Sequence, residues 1–226
     1  MPESRERDHL RRLGSADLSP EEIRRFLGDR EARGLHVVRR ALAAHPRTPR
    51  TEALALIPTL YWRDLAGISA DVRAHPEVRR SADQELLRRL PGLATAEKVE
   101  VARIGGRGMI AALRRSGDPP LVRALLRNRF TVEGDVVFMG IAAREPEALE
   151  AIAGDPLWGL RSSVRAAVAR NRSTPAPLAI RLLSEIPLAE LREICVERWR
   201  PAPFREAARA TLAYRVETGS GMTLPA

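Results

Sequence analysis

Cysteine, lysine and aromatic rings are scarce in this chain of 226 residues. Its only cysteine, Cys195, excludes an internal disulfide and any cysteine-rich zinc or iron–sulfur centre. Cys195 falls at helical spacing with Leu191, Ile194 and Arg198, the pattern of an inert, partly buried thiol. Lys98 is the sole lysine among 38 basic residues, a bias that a GC-rich genome suffices to explain. The longest apolar runs, such as residues 53 to 58 and 136 to 143, fall far short of the roughly 20 residues that cross a bilayer. No membrane span is expected. The opening MPESRERDHLRR carries charge where a secretory signal is apolar, so the expected location is cytoplasmic, in a bacterial-type soluble protein. Catalytic signatures are missing as well. His9, His36, His45 and His75 lack ligand spacing, and no Ser/His/Asp phrase occurs. Gly105-Gly106-Arg107-Gly108 has neither the preceding strand nor the Lys-Ser/Thr ending of a phosphate loop, and reads as a hinge between helices. No cofactor or metal is expected.

What the sequence does hold is one pattern written twice, 126 residues apart. Val38, Ala41, His45, Thr48, Pro49, Leu54, Leu56, Leu60, Leu65, Ile68, Val78, Ala82 and Leu86 meet Val164, Ala167, Asn171, Thr174, Pro175, Ile180, Leu182, Ile186, Leu191, Ile194, Phe204, Ala208 and Leu212. A register held across about fifty residues without a gap is the mark of a stacked supersecondary unit. Unit starts recur about every 42 residues, at Val38, Arg80, Leu121, Val164 and Glu206, the length of the HEAT and armadillo class. Each unit reads as a helix, a tight turn, a second helix and a short third one. The turn is His45-Pro46-Arg47-Thr48-Pro49, Asn128-Arg129-Phe130-Thr131 or Asn171-Arg172-Ser173-Thr174-Pro175. Asn or His closes the first helix, Thr is positioned to cap the next, and Pro suits its first position. The third helix carries Leu65 with Ile68, Ile110 with Leu113, Leu149 with Ile152, or Leu191 with Ile194. Three-residue spacing puts each pair on one face, and so short a helix must pack to persist. The expected fold is all-α, a right-handed α-solenoid of HEAT/armadillo-like repeats with a period of about 42 residues.

The domain plan follows. Residues 1–17 are expected as a flexible arm and 18–35 as an N-terminal capping helix, with Ser19 as cap, Pro20 at the first position and Glu21-Glu22 at the positive end. Repeat units are expected at about 38–79, 80–120, 121–163 and 164–205 within a repeat domain spanning 36–217, then a capping helix at 206–217 and a flexible tail at 218–226. The second unit departs from the pattern. Pro91-Gly92-Leu93-Ala94-Thr95 expands its turn and the glycines at 105, 106 and 108 interrupt it again, which predicts a bend or looser joint.

The phrase Ala169-Arg170-Asn171-Arg172-Ser173-Thr174-Pro175, with its echo at His45 to Pro49, resembles the leucine-rich repeat variant and HEAT-like families of bacterial α-solenoids over roughly residues 36 to 217. The resemblance implies a helical superhelix that binds other molecules, and it transfers no catalytic residue. Some repeat-variant proteins carry an N-terminal iron–sulfur site. A chain with only Cys195 cannot build one in that way.

Charge is uneven along the chain. Residues 36 to 130 hold 18 basic and 9 acidic side chains, while the segments on either side are balanced, so the whole net charge of +9 resides there. Arg127 and Arg129 align with Arg170 and Arg172, a pairing that would present guanidinium groups along one edge of a solenoid. Arg47 and Arg63 extend the candidate surface, and Trp62, beside Arg63 and Asp64, is the one place where ring, cation and carboxylate adjoin. Tyr61, Trp158, Trp199 and Phe204 lie near unit joints, where rings are expected either to fill contacts between repeats or, in a groove, to stack on bases or anchor a partner. Two functions are compatible with this. The first is a non-enzymatic interaction protein offering an extended helical surface to a protein partner. The second is a nucleic-acid-binding HEAT-like protein, similar in size, charge and helix content to the DNA alkylation-repair glycosylases, by fold analogy alone.

Overall fold

Ser19-Pro20-Glu21-Glu22 opens a helix as its chemistry dictates: the Ser19 hydroxyl accepts from the Glu22 N–H at 3.2 Å while the Glu22 carboxylate accepts from the Ser19 N–H at 2.9 Å. This reciprocal pair satisfies two donors that a helix start leaves orphaned, a gain of about 1 kcal/mol. The computed structural model describes residues 2–15, 18–197 and 201–219, with side chains from residue 7 onward. Every regular element among these residues is helical, and none is long and apolar enough to cross a membrane. The expected location of Trp199, Arg198 and most of the tail lies outside the described residues.

The chain forms two compact units, Met1–Ala112 and Leu113–Ala226. In the first, α1 (Pro2–Leu13), α2 (Pro20–Gly28), α3 (Arg30–Gly34), α4 (His36–Ala44), α5 (Arg50–Leu56), α6 (Trp62–Ala70), α7 (Pro76–Arg89) and α8 (Thr95–Ile104) are followed by α9 (Arg107–Leu113), which runs to the division. The second holds α10 (Pro119–Leu126), α11 (Glu133–Ala142), α12 (Pro146–Ala153), α13 (Ser162–Arg170), α14 (Ala176–Leu183), α15 (Leu188–Val196) and α16 (Ala202–Glu217).

Core positions of the two copies of the sequence pattern are buried alike in their respective units. Val38 and Val164, Leu60 and Ile186, Leu65 and Leu191, Ile68 and Ile194, and Ala82 and Ala208 are all at most 2 % exposed. Burial differs within other pairs: Leu86 is buried and Leu212 half-buried, Ala41 half-buried and Ala167 buried, Pro49 exposed and Pro175 half-buried, and Leu54 half-buried while Ile180 is an exposed side chain of α14. All four short-helix pairs, from Leu65 with Ile68 to Leu191 with Ile194, are core. In the second unit this core gathers Leu183, Ile186, Leu191, Ile194 and Phe204 around the small Ala179 and Ala208. Cys195 sits at its edge, and burial pushes its thiol pKa up, as an inert cysteine requires.

Two expectations are corrected. Residues 2–13, read as part of an arm, are helical as α1, which packs on α4 with Leu13 buried. The reason lies in the turn after α4: His45 Nε2 reaches the Ser15 carbonyl at 3.2 Å and Arg47 donates to the Leu18 carbonyl at 3.0 Å, so the polar segment is tied down by backbone acceptors. Of the bend or looser joint expected at the glycines, the looseness is not found, because the joint is closely packed. Gly105 and Gly106 are buried, a Cβ on Gly106 would overlap the Ser69 carbonyl, and one on Gly108 would overlap the Asp83 carboxylate. Glycine is there for close approach.

Candidate functional site

The turns that close the helices also build the candidate site. Asn128 and Asn171 each accept the N–H two residues on, at 2.8 Å, from Phe130 and Ser173. His45 Nδ1 does the same for Arg47 at 3.1 Å, and Asp71, at a turn the sequence reading passed over, does so for Arg73 at 3.0 Å. His45 must therefore carry its proton on Nε2, which donates to Ser15. Thr131 and Thr174 do not cap the following helix. Each hydroxyl donates backward at 2.6 Å, to Leu125 and Val168, because Val132 and Pro175 occupy the cap positions and the preceding helix has orphaned carbonyls to satisfy.

Asn171 goes further. Its side-chain amide donates to the Gly140, Ile141 and Ala143 carbonyls at 2.7, 3.0 and 2.8 Å, which fastens the end of α11 to the turn after α13. Three connections in the second unit then place one arginine each, two residues past a helix end: Arg115 after α9, Arg144 after α11 and Arg172 after α13. All three are exposed and line a groove of about 1140 Å³ whose apolar part is Phe138 and the exposed Ile141. Glu145 is the only carboxylate along it among the described residues. Two arginines share the Phe138 ring: Arg114, held by the buried Asp135 at 2.8 Å, lies 4.5 Å over it, and Arg115 lies 5.6 Å from it. This is a preformed cationic groove with an aliphatic side chain at hand.

The arginines singled out from sequence are distributed differently. Arg172 is in the groove, and Arg170 borders it, but its guanidinium is taken by Glu190, Glu193 and Glu197 at 2.9, 3.0 and 2.8 Å. Burial works against its charge, but the Glu197 hydrogen bond and the other two carboxylates more than offset this and raise its pKa. Arg127 lies in a separate cleft with Glu147, Glu150 and Asp155, and Arg129 covers the Phe130 ring at 4.6 Å. In the first unit, Arg47 is the Leu18 anchor, and Arg63 pairs with Glu100 at 3.2 Å. Trp62 is half-buried, and the cluster beside it centres on Asp64, which meets His36 Nε2 at 2.5 Å and Arg40 at 3.3 Å while Tyr61 stacks on His36 at 4.0 Å.

Sequence reasoning put Arg115 only within the general basic section and passed over Arg144, Phe138 and Ile141. The signal that could have found the arginines is their recurrence two residues beyond alternate helices, α9, α11 and α13, at spacings of 29 and 28 residues. Much of the basic section pairs internally: Arg50 with Glu77, Arg73 with Asp71, Arg88 and Arg89 with Glu85, and Arg103 with Glu100. Hydrogen bonding from Arg88 draws the Glu85 pKa down to about 2, with Arg89 adding to it. Comparison of the chain with family models, with curated proteins and with solved structures returned no match.

Proposed function

We propose that this chain is a non-enzymatic interaction protein, an α-solenoid of three-helix units that binds a protein partner. Support for the repeat comes from helix spacing and from burial. First helices of the units begin at His36, Pro76, Pro119, Ser162 and Ala202, and two further α-helices follow each of the first four starts before the next. Core positions 126 residues apart, from Val38 with Val164 to Ala82 with Ala208, are buried alike within their own units. A helix triplet that cannot cover its own apolar face is stabilised by stacking, and stacking leaves an extended surface whose ordering cost is already met.

The observation that carries the functional part is the groove lined by Arg115, Phe138, Ile141, Arg144 and Arg172. It is held in shape by the Asn171 amide and the Asp135–Arg114 pair, so its form does not depend on a ligand. Affinity purification of the full chain from its native cells tests the reading, with the R144E/R172E variant alongside. The expected result is a protein, identified by mass spectrometry, that reconstitutes a stoichiometric complex with recombinant wild type. A turnover activity that survives purification and is lost on a single substitution would overturn it.

Nucleic-acid binding is the second reading, favoured by the net charge of residues 36 to 130. Internal pairing of Arg50, Arg63, Arg73, Arg88, Arg89 and Arg103 weighs against a long phosphate track, because each is already neighbour to a carboxylate.

A further inference from the structure

We propose that the groove on the second unit takes an extended acidic peptide segment carrying at least one aliphatic side chain. The proposal rests on the interaction-protein reading and specifies its partner chemistry. Charge complementarity commits the site to an anion: Arg115, Arg144 and Arg172 face it from three separate connections, and Glu145 is the only opposing carboxylate along it among the described residues. Arg170, which also borders the groove, is held by three glutamates.

An apolar feature distinguishes peptide from polyphosphate. Ile141 is 65 % exposed at the end of α11 and lines the same groove as the three arginines. A phosphate backbone gains nothing from an aliphatic side chain, whereas a Leu or Val flanked by Asp or Glu would cover it and place carboxylates at the rim. Nor is the aromatic ring set out for base stacking. Arg114 and Arg115 already lie against Phe138, the nearer at 4.5 Å, so a base would have to displace a guanidinium held by the buried Asp135. Arginine at three rim positions also suits carboxylates, which its planar fork binds through paired hydrogen bonds.

The test uses the full chain and four probes at low ionic strength: a fluorescein-labelled twelve-residue peptide of alternating Glu and Leu, an all-Glu peptide, a Ser/Leu peptide without charge, and single-stranded oligo-dT. The expected order by anisotropy is Glu/Leu peptide first, all-Glu weaker, Ser/Leu and oligo-dT weaker still, with binding falling as salt rises. R144E/R172E should weaken the Glu/Leu peptide by about tenfold or more. I141S should reduce the Glu/Leu peptide to the affinity of the all-Glu peptide while leaving the latter unchanged. These side chains are exposed, and circular dichroism with thermal melting verifies that the variants fold. Equal binding of the all-Glu and Glu/Leu peptides, or binding insensitive to R144E/R172E, overturns the proposal. Preferential oligo-dT binding that R144E/R172E abolishes also overturns it, and moves the groove to the nucleic-acid reading. If none of the peptides binds while a partner still reconstitutes with the chain, the acidic-segment assignment falls and the interaction-protein reading stands.

Discussion

At the scale of single residues, the most informative side chain outside the groove is Asp83. Its Oδ1 accepts from the Ser69 hydroxyl at 2.5 Å, and the Ser69 oxygen in turn accepts from the buried Gly106 N–H at 3.0 Å, which ties α6 and α7 to the glycine joint. Burial raises the Asp83 pKa, with the Ser69 hydrogen bond and the Arg79 charge opposing it. A carboxyl whose folded pKa lies above its unfolded value penalises the fold where it is ionised, above the folded pKa, and the penalty disappears once pH falls below the unfolded one. Asp83→Asn keeps the shape and the acceptor but removes the charge. It should therefore raise the melting temperature at pH 7 and make a smaller difference near pH 4. A variant that melts lower at pH 7 than wild type by more than it does at pH 4 would mean that the ionised carboxylate favours the fold.

Elements are joined here by turns, and the turn after α13 is the strongest case. Asn171 spans the gap to α11 with its two amide hydrogens shared among three carbonyls and accepts one hydrogen bond from Ser173. Asn171→Ala leaves buried carbonyls without a donor and should cost about 2 to 4 kcal/mol by urea denaturation. Asn171→Asp is the sharper control. It keeps the acceptor for Ser173 but aims a carboxylate at three carbonyl oxygens, so it should be at least as destabilising as alanine. If aspartate is tolerated, the amide is not what fastens α11. Much of this level was legible in the sequence. The Asn and Pro of the turns mark where helices end and begin, although the Thr between them bonds back to the preceding helix instead of capping the next, and the paired apolar residues of the short helices mark the core by spacing alone. What spacing does not encode is the partner of a side chain from another element. Asn171 bonding to residues 140 to 143, His45 to Ser15 and Arg170 to three glutamates are long-range choices. The same limit explains why α1, polar and without a cap phrase, reads as an arm until the Ser15 and Leu18 carbonyls just after it are seen to meet His45 and Arg47.

For the molecule as a whole the question is what a net charge of +9 does. Net charge sets long-range attraction to polyanions, but affinity for them grows with the number of phosphates that cations can neutralise together. In the basic section, Arg40, Arg50, Arg63, Arg73, Arg88, Arg89 and Arg103 are each beside a carboxylate, and Arg39, Arg47 and Arg89 donate to backbone carbonyls. Such pairs stabilise the fold little, yet they occupy the guanidinium forks that would otherwise reach phosphate. Duplex DNA should accordingly bind the full chain only weakly and only at low salt. A plot of log affinity against log salt should have a slope no steeper than about −3, the value for roughly three neutralised phosphates, where a dedicated phosphate track gives −6 or steeper. Anisotropy titrations between about 20 and 150 mM salt measure it directly, and at such a slope binding falls by two to three orders of magnitude across that range. A slope of −6 or beyond would require the paired arginines to leave their carboxylates for the duplex, and the internal ion pairs could then not be the reason for expecting a peptide.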